Sequence, residues 1–465
     1  MKNKIIQFGT DGWRAKIAED FTFANVQIVS QAFVNYLIAS GIAGKGAAVG
    51  YDNRFESENF ARTAAEICSG AGIKTYLSSV SLPSPALSYT VKDLNLAAGI
   101  MITASHNPPE WNGFKIKESF GGSSFPETTQ AVEAQLSDKL GITPSSNNIE
   151  IINPIPRYLK KIASLVDLEM IKSHKLKVAV DPMHGSGAGL FKQLGLDIIE
   201  IRGNRDPLFG GVNPEPLPVN LEDSISFTKN LALKYSSELC ACIVLDGDAD
   251  RIAAIDGSGT FINTHNIFEL LLRHLVVHRK MTGNVVKTFN MSSLIDKLCR
   301  QYNRRLDVTP IGFKYIAAKM LKEDILLGGE ESGGMGIKGF IPERDGLLAG
   351  LMLMELMAYE KMTLGQILAE IMQEHGYYSY SRSDIHTAKG REIVDGLKNN
   401  PPVEFAGKKI IKIETLDGLK FCFDDDSWIL FRASGTEPLL RIYAEARSAE
   451  EVALLLGDWE KLWKS

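Results

Sequence analysis

Four short polar loops, each directly after an apolar run, carry the residue types of phosphate, metal and sugar chemistry. They span residues 103–108, 246–251, 328–334 and 432–438. The apolar runs before them, AAGIMI, ACIVL, DILL and WILF, are typical of buried strands. Because ligands of open α/β sheets bind beyond the carboxyl ends of such strands, we expect the four loops to face one cleft.

The first loop offers a candidate nucleophile, Ser105. The next residues are His106 and a predicted turn at Asn107-Pro108-Pro109. A hydroxyl needs a base or a charged neighbour to act as a nucleophile. Adjacent side chains of an extended loop diverge, so we expect His106 to point away from Ser105, whereas Lys115 could return to the same cleft. No G-x-S-x-G surrounds Ser105, which disfavours an α/β-hydrolase elbow. Taken alone, the loop is more typical of a serine in a structural turn.

The second loop places carboxylates at every second position, at Asp246, Asp248 and Asp250. Oxygen ligands beside open coordination positions suit Mg²⁺, which keeps room for a phosphate oxygen. An EF-hand is excluded because its sixth position would be Arg251 rather than Gly and its twelfth Gly257 rather than Glu. A solvated acidic turn is the alternative, although such a cluster without a cation would suffer like-charge repulsion. Arg251 could bind a phosphate with two hydrogen bonds.

The third loop contains Glu330 and Ser332 between glycines that let the backbone approach a ligand closely. A carboxylate accepts hydrogen bonds from paired sugar hydroxyls, but an exposed acid is as often simply solvated. Lys314, in Gly312-Phe313-Lys314, adds a cation at a predicted helix start. The loop is a candidate sugar site.

The fourth loop combines a fixed cation, hydroxyls and glycine backbone in Arg432, Ser434, Gly435 and Thr436. This combination predicts an anion nest for a phosphate dianion, with a surface turn as the alternative. A further glycine-rich stretch, residues 185–189, does not have the G-x-G-x-x-G spacing and is interpreted as a tight strand-to-helix turn.

Composition excludes several classes of protein. The chain has 465 residues, 45% apolar and 23% charged, with a net charge of −5, so nothing indicates a nucleic-acid partner. The five cysteines form no C-x-x-C pair and are interpreted as buried residues of a reducing cytosol. No apolar run approaches the roughly 20 residues that span a bilayer, and no signal-peptide core is present. We expect a cytoplasmic protein with no membrane partner.

Alternating strand and helix patterns must position these loops. A polar stretch around residues 141–153 suggests the first boundary, and the register changes to shorter strand-like segments near Gly376. We predict α/β domains at 1–148 with the Ser105 loop, 149–254 with the Asp246 loop and 255–374 with the Glu330 loop. A smaller α+β domain at 375–465 carries the Arg432 loop. A helix is expected from Asp345 to Tyr359, with Met352, Met354 and Met357 in the core.

These loops resemble those of the α-D-phosphohexomutase family, in the family's order and over essentially the whole chain. The segment Phe8-Gly9-Thr10-Asp11-Gly12-Trp13-Arg14 resembles its amino-terminal signature, and the loop at 103–108 its phosphoserine loop. The loops at 246–251, 330–334 and 432–438 resemble its Mg²⁺, sugar-binding and phosphate-binding loops. The resemblance implies an α/β fold with three related α/β domains, mixed sheets and a smaller C-terminal α+β domain around a central cleft.

The resemblance also implies a mechanism. Ser105 would carry a phosphoryl group, with one Mg²⁺ ion bound by Asp246, Asp248, Asp250 and an oxygen on Ser105. A hexose 1,6-bisphosphate would be the intermediate and activator.

The same resemblance implies the roles of the remaining site residues. Lys115 would be the general acid/base and Arg14 a contact of the phosphoserine region, with His106 and Arg251 completing the catalytic set. Glu330 and Ser332 would hold the sugar hydroxyls. Lys314 and the nest at Arg432, Ser434, Gly435 and Thr436 would complete the substrate site.

The sugar is predicted from smaller details. Loops of phosphomannomutases and phosphoglucosamine mutases often have His where this chain has Gly334, and Trp13 and Gly312-Phe313-Lys314 look more like glucose-type mutases. We therefore expect glucose phosphate first, then mannose, glucosamine and pentose phosphates, and a monomer or homodimer. The rivals are a Mg²⁺-dependent sugar phosphatase with Ser105 as nucleophile and a non-catalytic sugar-phosphate-binding protein.

Overall fold

The computed structural model describes residues 6–9, 12–236, 238–434 and 438–464. Within these residues the chain forms four β-sheets, one after another along the sequence. The first three sheets mix parallel and antiparallel strands, whereas the last is antiparallel. The predicted fold class, three α/β domains with mixed sheets and a smaller C-terminal α+β domain, is confirmed. None of the helices in these residues combines the length and the apolar character that a membrane span requires.

The first unit is built from β1 (Trp13–Lys16), α1 (Phe23–Ala39), a 3-10 turn (Ala43–Lys45), β2 (Ala47–Tyr51), α2 (Ser57–Gly70), β3 (Thr75–Ser78), α3 (Ser84–Asp93), β4 (Ala98–Ile102), β5 (Trp111–Glu118), β6 (Gly122–Ser123), α4 (Pro126–Glu133) and β7 (Ile149–Ile152). Its strand order is β1-β5-β4-β2-β3-β7, with β6 beside β5. Strands β2 and β4 are buried throughout because both faces of the sheet are covered. The chain leaves β4 into the Ser105 loop and returns antiparallel on β5.

The second unit contains α5 (Ile155–Ala163), α6 (Leu168–Ser173), β8 (Leu176–Asp181), α7 (Leu190–Gln193), β9 (Ile198–Glu200), 3-10 turns (Phe209–Gly211 and Pro218–Asn220), α8 (Glu222–Lys234), β10 (Leu239–Leu245), β11 (Ile252–Asp256) and β12 (Phe261–Ile262). The strand order is β12-β11-β10-β8-β9. Strand β10 runs parallel to β8 and antiparallel to β11. The second of the predicted loops, residues 246–251 and called the acidic loop below, therefore forms the turn between β10 and β11.

The third unit contains α9 (Thr264–Arg273), a π-helical turn (His274–His278), β13 (Asn284–Thr288), α10 (Ser293–Gln301), β14 (Leu306–Thr309), α11 (Phe313–Met320), β15 (Ile325–Gly329), β16 (Met335–Ile337), α12 (Gly346–Glu360) and α13 (Leu364–His375). The strand order is β14-β13-β15-β16. The third of the predicted loops, called the sugar loop below and centred on residues 330–334, is the turn from β15 to β16. Helix α12 is apolar on all sides because it packs against both the second and the third sheet. Its predicted core residues Met352, Met354 and Met357 are buried.

The fourth unit contains β17 (Ser379–His386), α14 (Gly390–Asn399), β18 (Glu404–Phe405), β19 (Lys408–Glu414), β20 (Leu419–Phe423), β21 (Trp428–Ala433), β22 (Leu439–Ala446) and α15 (Ala449–Lys464). Its strand order is β17-β22-β21-β20-β19-β18. The fourth of the predicted loops, residues 432–438 and called the phosphate-type loop below, connects the adjacent strands β21 and β22.

The first three units share one large apolar cluster and each has a further cluster of its own, whereas the fourth unit has a separate core. The shared core includes Met101 of β4, Ile243 of β10 and Leu327 of β15. The separate core of the fourth unit includes Phe421 and Leu440. A small cluster of Phe289, Trp428, Leu430 and Tyr443 joins the third and fourth units. The first three units are therefore packed as one body, to which the fourth is attached through a smaller contact.

Strand pairing moves two of the predicted domain boundaries. Strand β7, residues 149–152, pairs parallel with β3 and therefore completes the first sheet, which the boundary at 148 would separate. The boundary at 254 lies inside β11, and β12, residues 261–262, still pairs with β11. Strand β7 is a short edge strand, and it joins the first sheet through a partner that is distant in sequence. Strand β12 is a short strand that joins the second sheet through a turn after β11.

Candidate active site

Ser105 lies in the loop between β4 and β5, where its side chain faces the acidic loop of the second unit. Its hydroxyl donates a hydrogen bond to Asp246 Oδ2 over 2.9 Å. The residue is almost fully buried and has a φ of 54°, in the left-handed region that serine seldom adopts. A strained backbone of this kind marks a position that the surrounding structure holds in place. The predicted meeting of the first two loops is therefore present.

The triad Asp246, Asp248 and Asp250 is buried in the turn from β10 to β11. One ligand atom from each residue can be chosen so that all lie within 4.8 Å of one another. Asp248 Oδ1 and Asp250 Oδ1 are buried and have no hydrogen-bond partner among the described residues. A buried carboxylate oxygen without a donor is costly unless a cation coordinates it. The donor set fits a hard divalent cation such as Mg²⁺.

The electrostatics of the triad point the same way. Burial, and then the charges of Asp248 and Asp250, raise the pKa of Asp246 well above its ordinary value. Burial also raises the pKa of Asp250, against the effect of the Arg344 guanidinium. Burial alone would raise the pKa of Asp248 too, but Lys115 and the Ser84 hydroxyl hold it below the ordinary range. Burial and the mutual repulsion of the carboxylates therefore disfavour the charged forms of Asp246 and Asp250, and a bound cation would counter both effects.

Lys115 is brought to the triad by β5. Its ammonium lies 3.0 Å from Asp248 Oδ2 and 4.0 Å from Asp250 Oδ2, and the side chain is almost fully buried. Ser84, at the start of α3, donates to the same Asp248 Oδ2 over 2.5 Å. The predicted return of Lys115 to the site is what the antiparallel pairing of β4 and β5 produces.

His106 lies closer to Ser105 than we expected. Its Nδ1 is 3.4 Å from the Ser105 hydroxyl oxygen, so the expectation that the two side chains point apart is wrong. The reason is the left-handed backbone at Ser105, because side chains of neighbouring residues diverge only where the loop is extended. Burial, together with the charges of Arg251 and Arg14, lowers the pKa of His106 well below its ordinary value. The imidazole is therefore neutral near neutral pH and can form hydrogen bonds through its ring nitrogens.

Two predicted arginines flank the serine and the triad. Arg14 on β1 donates to Asn107 Oδ1 over 2.6 Å and so touches the Ser105 loop. The Arg251 backbone N–H donates to Asp246 Oδ1 over 3.1 Å, and its guanidinium lies 3.9 Å from Asp250. Arg251 also forms a β-bridge to Gly334, which ties the acidic loop to the sugar loop.

The predicted sugar residues lie in the turn from β15 to β16. Glu330 is buried and Ser332 half-buried. Glu330 Oε1 accepts a hydrogen bond from Arg344 Nη1 over 2.8 Å. Lys314 lies in the first turn of α11 with its ammonium 5.1 Å from the Tyr315 ring centroid. Among the described residues, no ion pair joins Lys314 to Glu330.

Arg344 links the acidic loop to the sugar loop, although the sequence did not identify it. Its second terminal nitrogen, Nη2, donates to Asp250 Oδ2 over 2.5 Å. A Cβ atom added at Gly334 would lie 2.0 Å from Arg344 Cδ, so the glycine leaves the space that the arginine fills. The only sequence signal is the charged run Glu343-Arg344-Asp345 directly before the apolar helix α12.

The phosphate-type loop contacts the third unit through one carboxylate. Arg432, at the end of β21, donates through Nε to Asp417 Oδ1 over 3.0 Å. Asp417 Oδ2 accepts from the Ile311 backbone N–H over 2.8 Å, in the loop before Lys314. Ser434 is half-buried, and its N–H donates to Leu439 over 2.8 Å. The predicted residues Gly435 and Thr436 lie outside the described part of the chain.

Glu331 of the sugar loop makes a second contact with the fourth unit. It accepts from the Tyr380 hydroxyl over 3.0 Å and lies 3.4 Å from Arg382 Nη1. Burial raises the pKa of Glu331, whereas Arg382 and Tyr380 oppose that rise. The four predicted loops, or the residues beside them, therefore contact one another across all the units.

The chain has three α/β units and a smaller fourth, which bring together a serine, an acidic triad and several arginines. This combination defines a class of enzyme, the phosphohexomutases. These are isomerases that act on sugar phosphates. Sequence models of the phosphoglucomutase/phosphomannomutase α/β/α domains I, II and III match residues 6–140, 156–259 and 263–375. The model of its C-terminal domain matches residues 387–460.

Known proteins match over the whole chain. A phosphoglucomutase/phosphomannomutase of Thermococcus kodakarensis is 31% identical over 96% of this chain and 95% of its own length. A phosphoglucosamine/phosphogalactosamine mutase of Sulfurisphaera tokodaii is 30% identical over 98% of both chains. The crystal structure of a putative phosphomannomutase from Thermus thermophilus superposes with a TM-score of 0.88 at 33% identity, covering 99% of both chains. The chain belongs to the phosphoglucomutase/phosphomannomutase family.

Proposed function

We propose that the protein interconverts glucose 1-phosphate and glucose 6-phosphate through a phosphorylated Ser105 and a glucose 1,6-bisphosphate intermediate. The observation that carries the proposal is the 2.9 Å contact between the Ser105 hydroxyl and Asp246 of the buried triad. A hydroxyl at this position lies where a phosphoryl group on it would share a metal with the carboxylates.

The triad Asp246, Asp248 and Asp250 would hold one Mg²⁺ ion together with an oxygen on Ser105. The bound cation would neutralise negative charge on the phosphoryl group as it transfers. The partnerless Asp248 Oδ1 and Asp250 Oδ1 support this assignment. Lys115 and Arg344 would keep Asp248 and Asp250 in place from the other side.

The proton and the phosphoryl group move between a few side chains in this proposal. Lys115, an ammonium beside Asp248, would give a proton to the Ser105 oxygen as its bond to phosphorus breaks, and would take up the proton that the attacking sugar hydroxyl loses. In the second transfer the Ser105 hydroxyl would lose its proton as it attacks, and the released sugar oxygen would gain one by the same route. Arg14, His106 and Arg251 surround the serine and would bind the phosphoryl oxygens as they shift.

The phosphate that does not react would bind in the fourth unit. Arg432, Ser434, Gly435 and Thr436 would accept it, with Lys314 from the third unit. The bisphosphate must turn over between the two transfers, so this nest would receive a phosphate from either end of the sugar. Glu330 and Ser332 would hold the hydroxyls that both orientations share.

The charges of the sugar loop favour a neutral sugar. Glu330 is paired with Arg344 at 2.8 Å, and Glu331 lies 3.4 Å from Arg382. An aminosugar such as glucosamine phosphate would bring an ammonium group to carboxylates that arginines already neutralise, which is unfavourable. Mannose and glucosamine phosphates stay the alternatives, because the Thermococcus relative is a phosphoglucomutase/phosphomannomutase at 31% identity and the Sulfurisphaera relative a phosphoglucosamine/phosphogalactosamine mutase at 30% identity.

The test is a comparison of kcat/KM for glucose, mannose, glucosamine and ribose 1-phosphates. Each assay contains Mg²⁺ and a trace of the matching bisphosphate, with a Mg²⁺-free reaction as control. We expect the highest value for glucose 1-phosphate and loss of turnover without Mg²⁺. A higher value for glucosamine 1-phosphate would overturn the sugar assignment. Release of free sugar and inorganic phosphate as the main products would overturn the mutase itself.

A further inference from the structure

Arg54 lies beneath the Ser105 loop and is fully buried. Its Nη2 donates to the carbonyl oxygens of Ser105 and Asn107 over 2.7 and 2.6 Å. Its Nη1 donates to those of Pro108 and Trp111 over 2.7 and 3.0 Å. One guanidinium therefore binds four carbonyl groups between Ser105 and the start of β5.

Asp52 completes the support from the end of β2. Its Oδ2 lies 3.2 Å from Arg54 Nε and accepts from the Thr103 hydroxyl over 2.5 Å. The Thr103 hydroxyl oxygen in turn accepts from the Ser105 backbone N–H over 2.9 Å. Both the N–H and the C=O of Ser105 are thus connected to the same buried ion pair.

This arrangement accounts for the backbone of Ser105. A φ of 54° is unfavourable for serine and persists only where the surrounding contacts fix it. With the backbone so fixed, the hydroxyl reaches Asp246 Oδ2 over 2.9 Å. A buried ion pair adds little net stability on its own, so stability alone is a weak account of Arg54 and Asp52.

We propose that Arg54, oriented by Asp52, is a positioning residue that fixes the Ser105 loop for phosphoryl transfer. The proposal rests on the proposed function of Ser105 as the phosphoryl carrier. Arg54 does not touch the sugar-binding residues Glu330 or Arg432 in any described contact. Its loss should therefore slow the transfer step without weakening the binding of sugar phosphate.

The test replaces Arg54 with lysine, which keeps the charge but cannot spread donors over four carbonyl groups. We expect Arg54→Lys to lower kcat about 100-fold, a typical result of misplacing a reacting group by about 1 Å. KM should stay within about threefold of the original value, because binding contacts are unchanged. The rate of Ser105 phosphorylation by glucose 1,6-bisphosphate should fall with kcat. The matched control is Arg62→Lys, at an exposed position on α2, which should change neither constant.

A second variant covers the case in which Arg54→Lys does not fold. Asp52→Asn keeps the shape of the side chain and removes its charge, and we expect about a tenfold loss in kcat at constant KM. Unchanged kcat in the folded variant, or a rise in KM as large as the fall in kcat, would overturn the proposal. If the unmodified protein is not phosphorylated on Ser105, the proposed function fails instead. Phosphorylation of Ser105 in the unmodified protein is therefore measured first, before either variant.

Discussion

Glu269 is a buried acid on α9, outside the candidate active site. Its carboxylate accepts a hydrogen bond from Asn266 Nδ2 over 3.2 Å, and burial raises its pKa to about 8. The ordinary glutamate pKa is 4.5, so between these values the folded protein holds a proton that the unfolded chain has lost. The free energy of unfolding should therefore fall as pH rises through this range, by up to about 1.4 kcal/mol per pH unit from this group.

Glu269→Gln should remove this contribution, because the amide stays neutral at every pH. Relative to the unmodified protein, the variant should gain roughly 2 to 5 kcal/mol of stability between pH 5 and pH 9. Urea unfolding at both pH values measures the difference, and other titrating groups cancel in the comparison. Glu392→Gln, at an exposed position on α14, is the control. An equal effect of Glu269→Gln at both pH values would show that the carboxyl group is not protonated in the folded state.

At the residue scale, sequence reasoning identified the groups that one loop supplies by itself. Asp246, Asp248 and Asp250 follow a buried strand at alternating positions, so local sequence was enough to predict their cluster. Arg344 and Arg54 were missed because each reaches its partners only after distant segments pack. His106 was placed wrongly because the left-handed φ of Ser105 has no local signal such as a glycine.

At the scale of the elements, the sugar loop requires a residue without a side chain at position 334, which is Gly334. A Cβ atom there would lie 2.0 Å from Arg344 Cδ and 2.7 Å from Cγ. We expect Gly334→Ala to displace Arg344 from Glu330 and Asp250 and to lower kcat/KM at least about tenfold. Gly44→Ala is the control, since a Cβ atom there meets nothing within 4 Å.

A double variant shows whether Gly334 acts through the arginine. Arg344→Ala should itself lower kcat/KM, and adding Gly334→Ala to it should cost little more, because the clash is gone. Effects that multiply in the double variant would mean that Gly334 acts by another route. Normal turnover in Gly334→Ala would contradict the account of this loop.

Helices and central strands were easier to predict than edges. The helix expected from Asp345 to Tyr359 is observed as α12, Gly346–Glu360, because a long apolar run between polar ends specifies it. Strand β7 was assigned to the wrong unit, since its sequence does not reveal that its partner is β3. The sequence carries periodicity, whereas strand pairing is decided by contacts between distant segments.

At the scale of the whole molecule, a buried ion pair joins the first unit to the third. Lys117 of β5 donates to Glu343 over 2.7 Å, and both side chains are fully buried. Ser123 donates to the same carboxylate oxygen over 2.9 Å. We expect Lys117→Met to lower the free energy of unfolding by about 3 to 5 kcal/mol, because the buried Glu343 would lose the cation at 2.7 Å while Arg344 Nε lies 4.0 Å from it.

The double variant Lys117→Met with Glu343→Gln should cost less than the sum of the single changes, because the ammonium and the buried carboxylate that it neutralises are removed together. Lys74→Met is the control, since Lys74 and Glu150 form a half-exposed pair in the first sheet and should contribute little. Urea unfolding of each variant gives the values. Additive losses in the double variant would show that the two side chains stabilise the protein independently.

The arrangement of whole units was predictable only in part. The order of four loops along the chain indicated a shared site, and the contacts from Ser105 to Asp246 and from Asp417 to Ile311 join the units that carry them. The sequence did not reveal that the first three units share one large apolar cluster, whereas the fourth has a separate core. That division depends on which apolar faces meet, and a single sequence does not encode it locally.

The most direct test of the central claim follows a phosphoryl group onto the protein and off again. The protein is incubated with Mg²⁺ and glucose 1,6-bisphosphate labelled in its phosphates, and the modified residue is identified by mass spectrometry. We predict label on Ser105, its transfer to added glucose 1-phosphate as bisphosphate, and no label in Ser105→Ala. Label on another residue, equal labelling of Ser105→Ala, or discharge of the label as inorganic phosphate would contradict the account.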